Sequence, residues 1–275
     1  MLQGQPAVDS HAHVISPFAK IPEGPGNKPE SATLRTKEEY YGVLAGHGFT
    51  HGLLVQPSCY HFDNSVQLDA VEHSPRGSVK AIVNLDFGIS DGELDAMERG
   101  GAVGMRINLI SLDPEYFERP EAARLLTRLR DRDWWLEYHV RAPDFPRYER
   151  SIRKFEGKTI IDHVGRPDIA AGTSEPGFAR ILAFGREPNR MLKISAPYRS
   201  SKLAAPWSDL DPFAAAAIEA FGIERCVWGS DWPFVNYAST VTYLQTLEWL
   251  SRVVPTEGER RKVLWDNPAR LFGFS

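Results

Sequence analysis

Eight short apolar runs recur along the chain, most of them followed by a stretch whose apolar residues fall at helical spacing. The runs are Ala7–Val14, Thr50–Gln56, Val79–Leu85, Val103–Leu109, Trp134–Val140, Thr159–Val164, Met191–Ser195 and Arg225–Gly229. Helical spacing follows in segments such as Lys37–Ala45, Ser65–Glu72, Glu121–Arg130 and Val241–Val253. Strands that alternate with helices pair in parallel through helical crossovers. Eight such units occupy about 250 residues when the sheet closes into a (β/α)8 TIM-type barrel, and the chain has 275. An open doubly wound sheet uses the same alternation, but the Gly-rich nucleotide fingerprint that would favour it is missing. The expectation is an α/β protein with one barrel domain over residues 1–275. A loop insertion near 16–35, with the Gly/Pro-rich stretch Ile21–Lys28 inside it, would follow the first strand and cover the catalytic end of such a barrel.

Composition narrows the classes of function. With 42% hydrophobic and 25% charged residues, the chain reads as globular rather than disordered or fibrous. A net charge of −4 supplies no basic field for nucleic acid. No run approaches the roughly 20 apolar residues of a membrane-spanning helix, and Met1–Ser10 shows no signal-peptide pattern. Cys59 and Cys226 are the only cysteines, which suits a reducing, cytoplasmic setting.

The chemistry gathers at strand ends. The first strand ends Asp9-Ser10-His11-Ala12-His13, and strand alternation puts Asp9, His11 and His13 on one face. The fifth ends Glu137-Tyr138-His139, the sixth Asp162-His163 and the eighth Gly229-Ser230-Asp231. An unpaired carboxylate or imidazole in a buried strand costs several kcal/mol. Four strand ends bearing such groups therefore point to an active site, which this fold places at the C-terminal mouth.

Three motifs carry a resemblance: Val-Asp-Ser-His-Ala-His-Val at 8–14, Ile-Asp-His-Val-Gly-Arg-Pro-Asp at 161–168 and Trp-Gly-Ser-Asp-Trp-Pro at 228–233. They are similar to signatures of the amidohydrolase superfamily. Val-Gln-Pro-Ser-Cys at 55–59, Asp63-Asn64 and Gly-Met-Arg-Ile-Asn at 104–108 resemble, within it, the 2-pyrone-4,6-dicarboxylate lactonase group. The resemblance runs from about Val8 to Phe272 and implies a hydrolase that opens a carboxylated lactone, so the implied partner is a small anionic lactone. It implies Asp231 as general base, with His11, His13 and His163 around the reacting carbonyl. Arg106 and Arg199 are implied to grip anionic groups, and Ser58, Asn108 and Arg166 to complete the substrate-binding set. The chemistry is coherent. A carboxylate takes a proton from the attacking water, imidazolium groups or a metal stabilise the oxyanion, and guanidinium groups bind carboxylates with paired hydrogen bonds.

Two positions depart from that pattern. His139 stands where the lactonase group has a tyrosine, and the loop Leu109-Ile-Ser-Leu-Asp113 lacks its basic residue. With His139 added, His11, His13, His139, His163 and Asp231 make a donor set for one divalent ion, Zn or Mn, while the resembling lactonases work without one. The cofactor expectation is accordingly either none required or a single divalent metal. The alternatives are a metal-dependent non-oxidative decarboxylase of the same superfamily, a lactone isomerase, or a silent barrel that binds a small acid. Cys59 has no identifiable base beside it and reads as an inert buried thiol.

Overall fold

All eight apolar runs form strands, within a few residues of the expected ends. They are β1 (Val8–Ala12), β2 (His51–Val55), β3 (Val79–Val83), β4 (Ala102–Asn108), β5 (Trp135–His139), β6 (Thr159–Ile161), β7 (Arg190–Ser195) and β8 (Cys226–Gly229). The computed structural model describes residues 4–21, 29–110, 112, 115, 117 and 119–275, with the side chain of Arg76 set aside. The centre of the expected loop insertion, 22–28, lies outside the described residues, as do Ser111 and Asp113.

Each strand pairs in parallel with the next, in the order β1 to β8. The ring returns on itself where Asp231 N donates to His11 O and His13 N to Trp232 O, both at 2.7 Å. Gly229 permits that approach, since a Cβ there would stand 2.3 Å from the His11 Cβ. The result is a nearly closed (β/α)8 barrel.

The helices α1 (Lys37–Gly46), α2 (Ser65–Glu72), α3 (Asp91–Arg99), α4 (Pro120–Asp131), α5 (Phe145–Arg153), α6 (Pro176–Gly185), α7 (Asp211–Phe221) and α8 (Tyr243–Val253) alternate with the strands. Three of them start at reciprocal capping boxes, Thr36 with Glu39, Ser90 with Glu93 and Thr242 with Gln245. Two short helices, α9 (Glu257–Arg261) and α10 (Asn267–Phe272), were not anticipated from the sequence. They bring Phe272 and Phe274 against Val8, Trp135, Ile160 and Met191, which form the apolar floor of the barrel.

Candidate active site

Side chains alternate along a strand, so steps of two residues climb the inside of the barrel. Above the floor, Gly104, Arg106 and Asn108 run beside Trp135, Glu137 and His139. Ile160 pairs with Met191, and from these the same step leads to Asp162 and to Lys193 and Ser195. The interior therefore has an apolar floor, a charged middle layer and a polar mouth.

The middle layer is a closed ion network. Lys193 Nζ contacts Glu137 Oε2 and lies 3.1 Å from His11 Nδ1 and 3.7 Å from Asp162 Oδ1. Arg106 donates from Nε and Nη2 to Asp162 Oδ2, each at 3.1 Å, with Glu137 Oε1 3.6 Å from Nε. Burial and the adjacent Asp162 carboxylate push Glu137 up to about 8. Burial also opposes ionisation of Asp162, but its neighbours His11, Lys193 and Arg106 together outweigh it and hold that carboxyl well below the usual range. Sequence reasoning did not single out Lys193. The signal was the two-residue spacing Met191-x-Lys193-x-Ser195, matched by Trp135-x-Glu137-x-His139.

Asp231 follows β8 at a left-handed residue, φ 61°. Its Oδ2 accepts from the Tyr198 hydroxyl at 2.6 Å and from Arg199 Nε. Its Oδ1 is buried with no hydrogen-bond partner, 3.3 Å from His13 Nε2 and 3.6 Å from His11 Nε2. Burial disfavours the charge most strongly, but the surrounding groups, Arg199 first among them, together outweigh it and hold the Asp231 carboxyl well below the usual range. One oxygen is thus anchored and the other left bare. Tyr198 is a second residue that the sequence did not flag.

The histidines differ from expectation in charge. Burial lowers His11, with Lys193 adding to the effect, and lowers His139, with Arg106 adding to it; His163 is lowered to about 3 by burial. These three are neutral imidazoles near pH 7, so the positive field comes from Arg106, Arg199 and Lys193 rather than from imidazolium. His13 Nδ1 lies 2.7 Å from the Val55 carbonyl and donates to it, which turns Nε2 toward Asp231 and His11. His163 Nδ1 is 2.8 Å from Ser195 Oγ.

A cavity of about 180 Å³ opens above these groups, lined by His13, Ser58, Arg106, His139, His163, Arg199 and Asp231 among others. Asn108 stands behind Ser58, with Nδ2 donating to Ser58 Oγ at 2.9 Å. Arg166 Nη1 lies 3.3 Å from His139 Nε2. Cys59 lines the same cavity, and burial pushes its thiol up to about 11, away from nucleophilic use. Asp9 does not share the face of His11 and His13. The β1–β2 register shifts between Asp9 and Ala12, which reverses the alternation. The Asp9 carboxylate accepts from Ser230 N and Oγ and from the Tyr243 hydroxyl instead.

A His/Asp cluster able to hold a metal is present. His11 Nε2, His13 Nε2 and Asp231 Oδ1 form a triangle with edges of 3.3, 3.3 and 3.6 Å. Metal–ligand bonds of about 2.0–2.1 Å in tetrahedral array separate ligands by roughly 3.3 Å, so a divalent ion fits. The bare Oδ1 of Asp231 and the inward-turned Nε2 of His13 suit it. A second group, His11, Asp162 and His163, shares His11. Neither group includes His139, which the sequence reading had placed in the ligand set.

Comparison with known proteins follows the same line. A family profile described as amidohydrolase matches residues 8–274. A 2-pyrone-4,6-dicarboxylate hydrolase of Comamonas testosteroni is 29% identical, over 97% of this chain and 90% of that protein. A 4-sulfomuconolactone hydrolase of Rhizobium radiobacter is 31% identical over 97% of this chain and 90% of its own length. Among solved structures, a probable 2-pyrone-4,6-dicarboxylic acid hydrolase of Acinetobacter baumannii, with citric acid bound, superposes with a TM-score of 0.89. It is 28% identical and is matched over 98% of this chain and 100% of that one. Motifs, barrel and mouth geometry thus agree with a match over nearly the whole chain: the protein belongs to the amidohydrolase family.

Proposed function

We propose that the protein hydrolyses a carboxylated or similarly acidic lactone, with its single barrel domain carrying the whole site. The observation that carries this reading is Asp231: one carboxylate oxygen held by Tyr198 and Arg199, the other bare and buried at the cavity. Relatives named for hydrolysis of acidic lactones support the substrate class.

In the proposed reaction Asp231 Oδ1 takes a proton from water as the water oxygen bonds to the lactone carbonyl carbon. The ring C–O bond then breaks, and the leaving oxygen receives that proton from Asp231. Because the ionised carboxylate is so strongly favoured here, Asp231 is a modest base but an effective acid once protonated. Neutral His139 and His163 act as hydrogen-bonding groups for the developing oxyanion. Arg106, anchored by Asp162, and Arg199, anchored by Asp231, set a positive field around the acidic substituent. Ser58, steadied by Asn108, and Arg166 complete the substrate wall. If a divalent ion such as Zn or Mn is bound, His11, His13 and Asp231 hold it, and it supplies Lewis-acid polarisation of the carbonyl.

A screen of dicarboxylated pyrones and muconate-type lactones, read as acid release in parallel with CO2 release, tests the proposal. Acid release without CO2 is expected. CO2 as the product, or no turnover of any acidic lactone, overturns it.

A further inference from the structure

Beyond the first cavity lies a larger one of about 410 Å³, built by the loops after β5, β6 and β7. Its cationic lining is Arg141, Arg166, Arg199 and Lys202, against the carboxylates Asp144 and Asp168. Both acids are already committed: Asp144 accepts from Arg141 Nε at 2.8 Å, and Asp168 caps Ala170 N at 3.1 Å. Arg199 lines both cavities, so the two meet at that residue.

Arg166 lines the larger cavity and reaches back to His139, which lines the first. It has a left-handed backbone, φ 44° and ψ 63°, a conformation a non-glycine residue holds only when its surroundings impose it. Its Nη1 lies 3.3 Å from His139 and its Nη2 donates to the Arg199 carbonyl at 3.2 Å, while its buried Nε has no hydrogen-bond partner. Among the described residues no carboxylate pairs with Arg166 or with the Lys202 ammonium. A largely buried guanidinium without a counter-ion is costly unless an anion completes it.

We propose that this basin is a second anion subsite, which takes the remote carboxylate or sulfonate of a small diacid while the other end lies in the first cavity. The inference rests on the hydrolase reading for its substrate but on the basin's own charge for its ligand. Guanidinium and ammonium donors recognise such oxyanions by charge-assisted hydrogen bonds. An open basin of this sign also draws diacids toward the mouth, an effect that salt weakens.

Equilibrium titration of the full-length protein with glutarate and with butyrate, at low and high salt, tests the subsite without turnover. The wild type should bind glutarate more tightly than butyrate. Lys202→Gln combined with Arg141→Gln should weaken glutarate by about tenfold and butyrate by less than about twofold, with Lys202→Arg close to wild type. Equal losses for the two acids, no loss, or no glutarate binding by the wild type overturns the proposal. If the titrations behave as expected and no lactone is opened, the subsite stands and the hydrolase reading falls. If lactones are opened while the double variant treats the two acids alike, the subsite alone falls.

Discussion

Asp231→Asn separates the proposed base from its scaffold, because the two carboxylate oxygens stand in different surroundings. In the variant the amide oxygen can keep the Oδ2 position, accepting from Tyr198 at 2.6 Å and from Arg199. The amide nitrogen then takes the Oδ1 position, 3.3 Å from His13 Nε2. Packing and hydrogen bonding survive; the proton-accepting oxygen does not. Deletion of a general acid–base group costs about 10²–10⁴-fold in turnover, and that is the expected loss in kcat. The stability cost is not zero, since Arg199 loses its counter-ion. Breaking a fully buried ion pair costs about 3–5 kcal/mol. Because Arg199 is 14% exposed and keeps a neutral acceptor, about 1–3 kcal/mol is expected here. Acid release from the best lactone gives the rate, urea denaturation the stability, and tryptophan quenching by the ring-opened product its affinity. An Asn variant that turns over within tenfold of wild type refutes the role of Asp231. A variant that loses rate only because it unfolds refutes the division of labour between its two oxygens.

Other outcomes follow from the buried layer and the cavity wall. Lys193→Met alone should lose about 3–5 kcal/mol in urea denaturation, because Glu137 and Asp162 keep their buried oxygens while the cation goes. Lys193→Met with Glu137→Leu should recover part of that loss, and a double variant no more stable than the single removes the pairing argument. Arg106→Ala should be destabilised by several kcal/mol as well as impaired in acid binding, since it strands Asp162 Oδ2; unchanged denaturation would show that Arg106 serves substrate alone. The Cys59 thiol, neutral below about 11, should be alkylated by iodoacetamide only slowly at pH 8 and faster as pH rises toward that value. Rapid labelling at pH 7 would contradict its burial.

The barrel was legible because alternation of strand and helix is a global signal that survives errors at every boundary. The mouth was legible for a related reason: His11, His13, His163 and Asp231 interrupt apolar runs at the same end, and the structure brings them together around one cavity and its floor. What escaped depended on phase or on turns. Asp9 was placed with the histidines because a register shift inside a five-residue strand leaves no mark in the sequence. Lys193 sits in Met-Leu-Lys-Ile-Ser, where inward and outward positions cannot be told apart until β7 is paired with its neighbours. Tyr198 reaches Asp231 from a short 3-10 turn entered through left-handed Ala196, a geometry no periodicity encodes. The C-terminal helices begin Glu-Gly-Glu-Arg-Arg, too polar to show an apolar stripe.

The charge layer also explains why the site should favour acidic substrates. With Glu137 raised to about 8, it is drawn toward its neutral form and offsets the cations less than an ordinary carboxylate would. Arg106, Lys193 and Arg199 face two carboxylates held firmly ionised, Asp162 and Asp231, while the three shifted histidines contribute no charge. Arg166, behind His139 and without a carboxylate partner among the described residues, adds to the surplus. A net positive interior beneath a small cavity is unfavourable when empty and is relieved by an anion. The same surplus serves the reaction, since opening a lactone places negative charge first on the carbonyl oxygen and then on the leaving oxygen. A neutral lactone of equal size would meet the same base and the same imidazoles but would leave the surplus uncompensated. Its handicap should therefore appear mainly in KM, and discrimination between acidic and neutral lactones should shrink as Arg166 or Arg199 is neutralised. Discrimination that stays constant through those substitutions would mean that shape, not charge, selects the substrate.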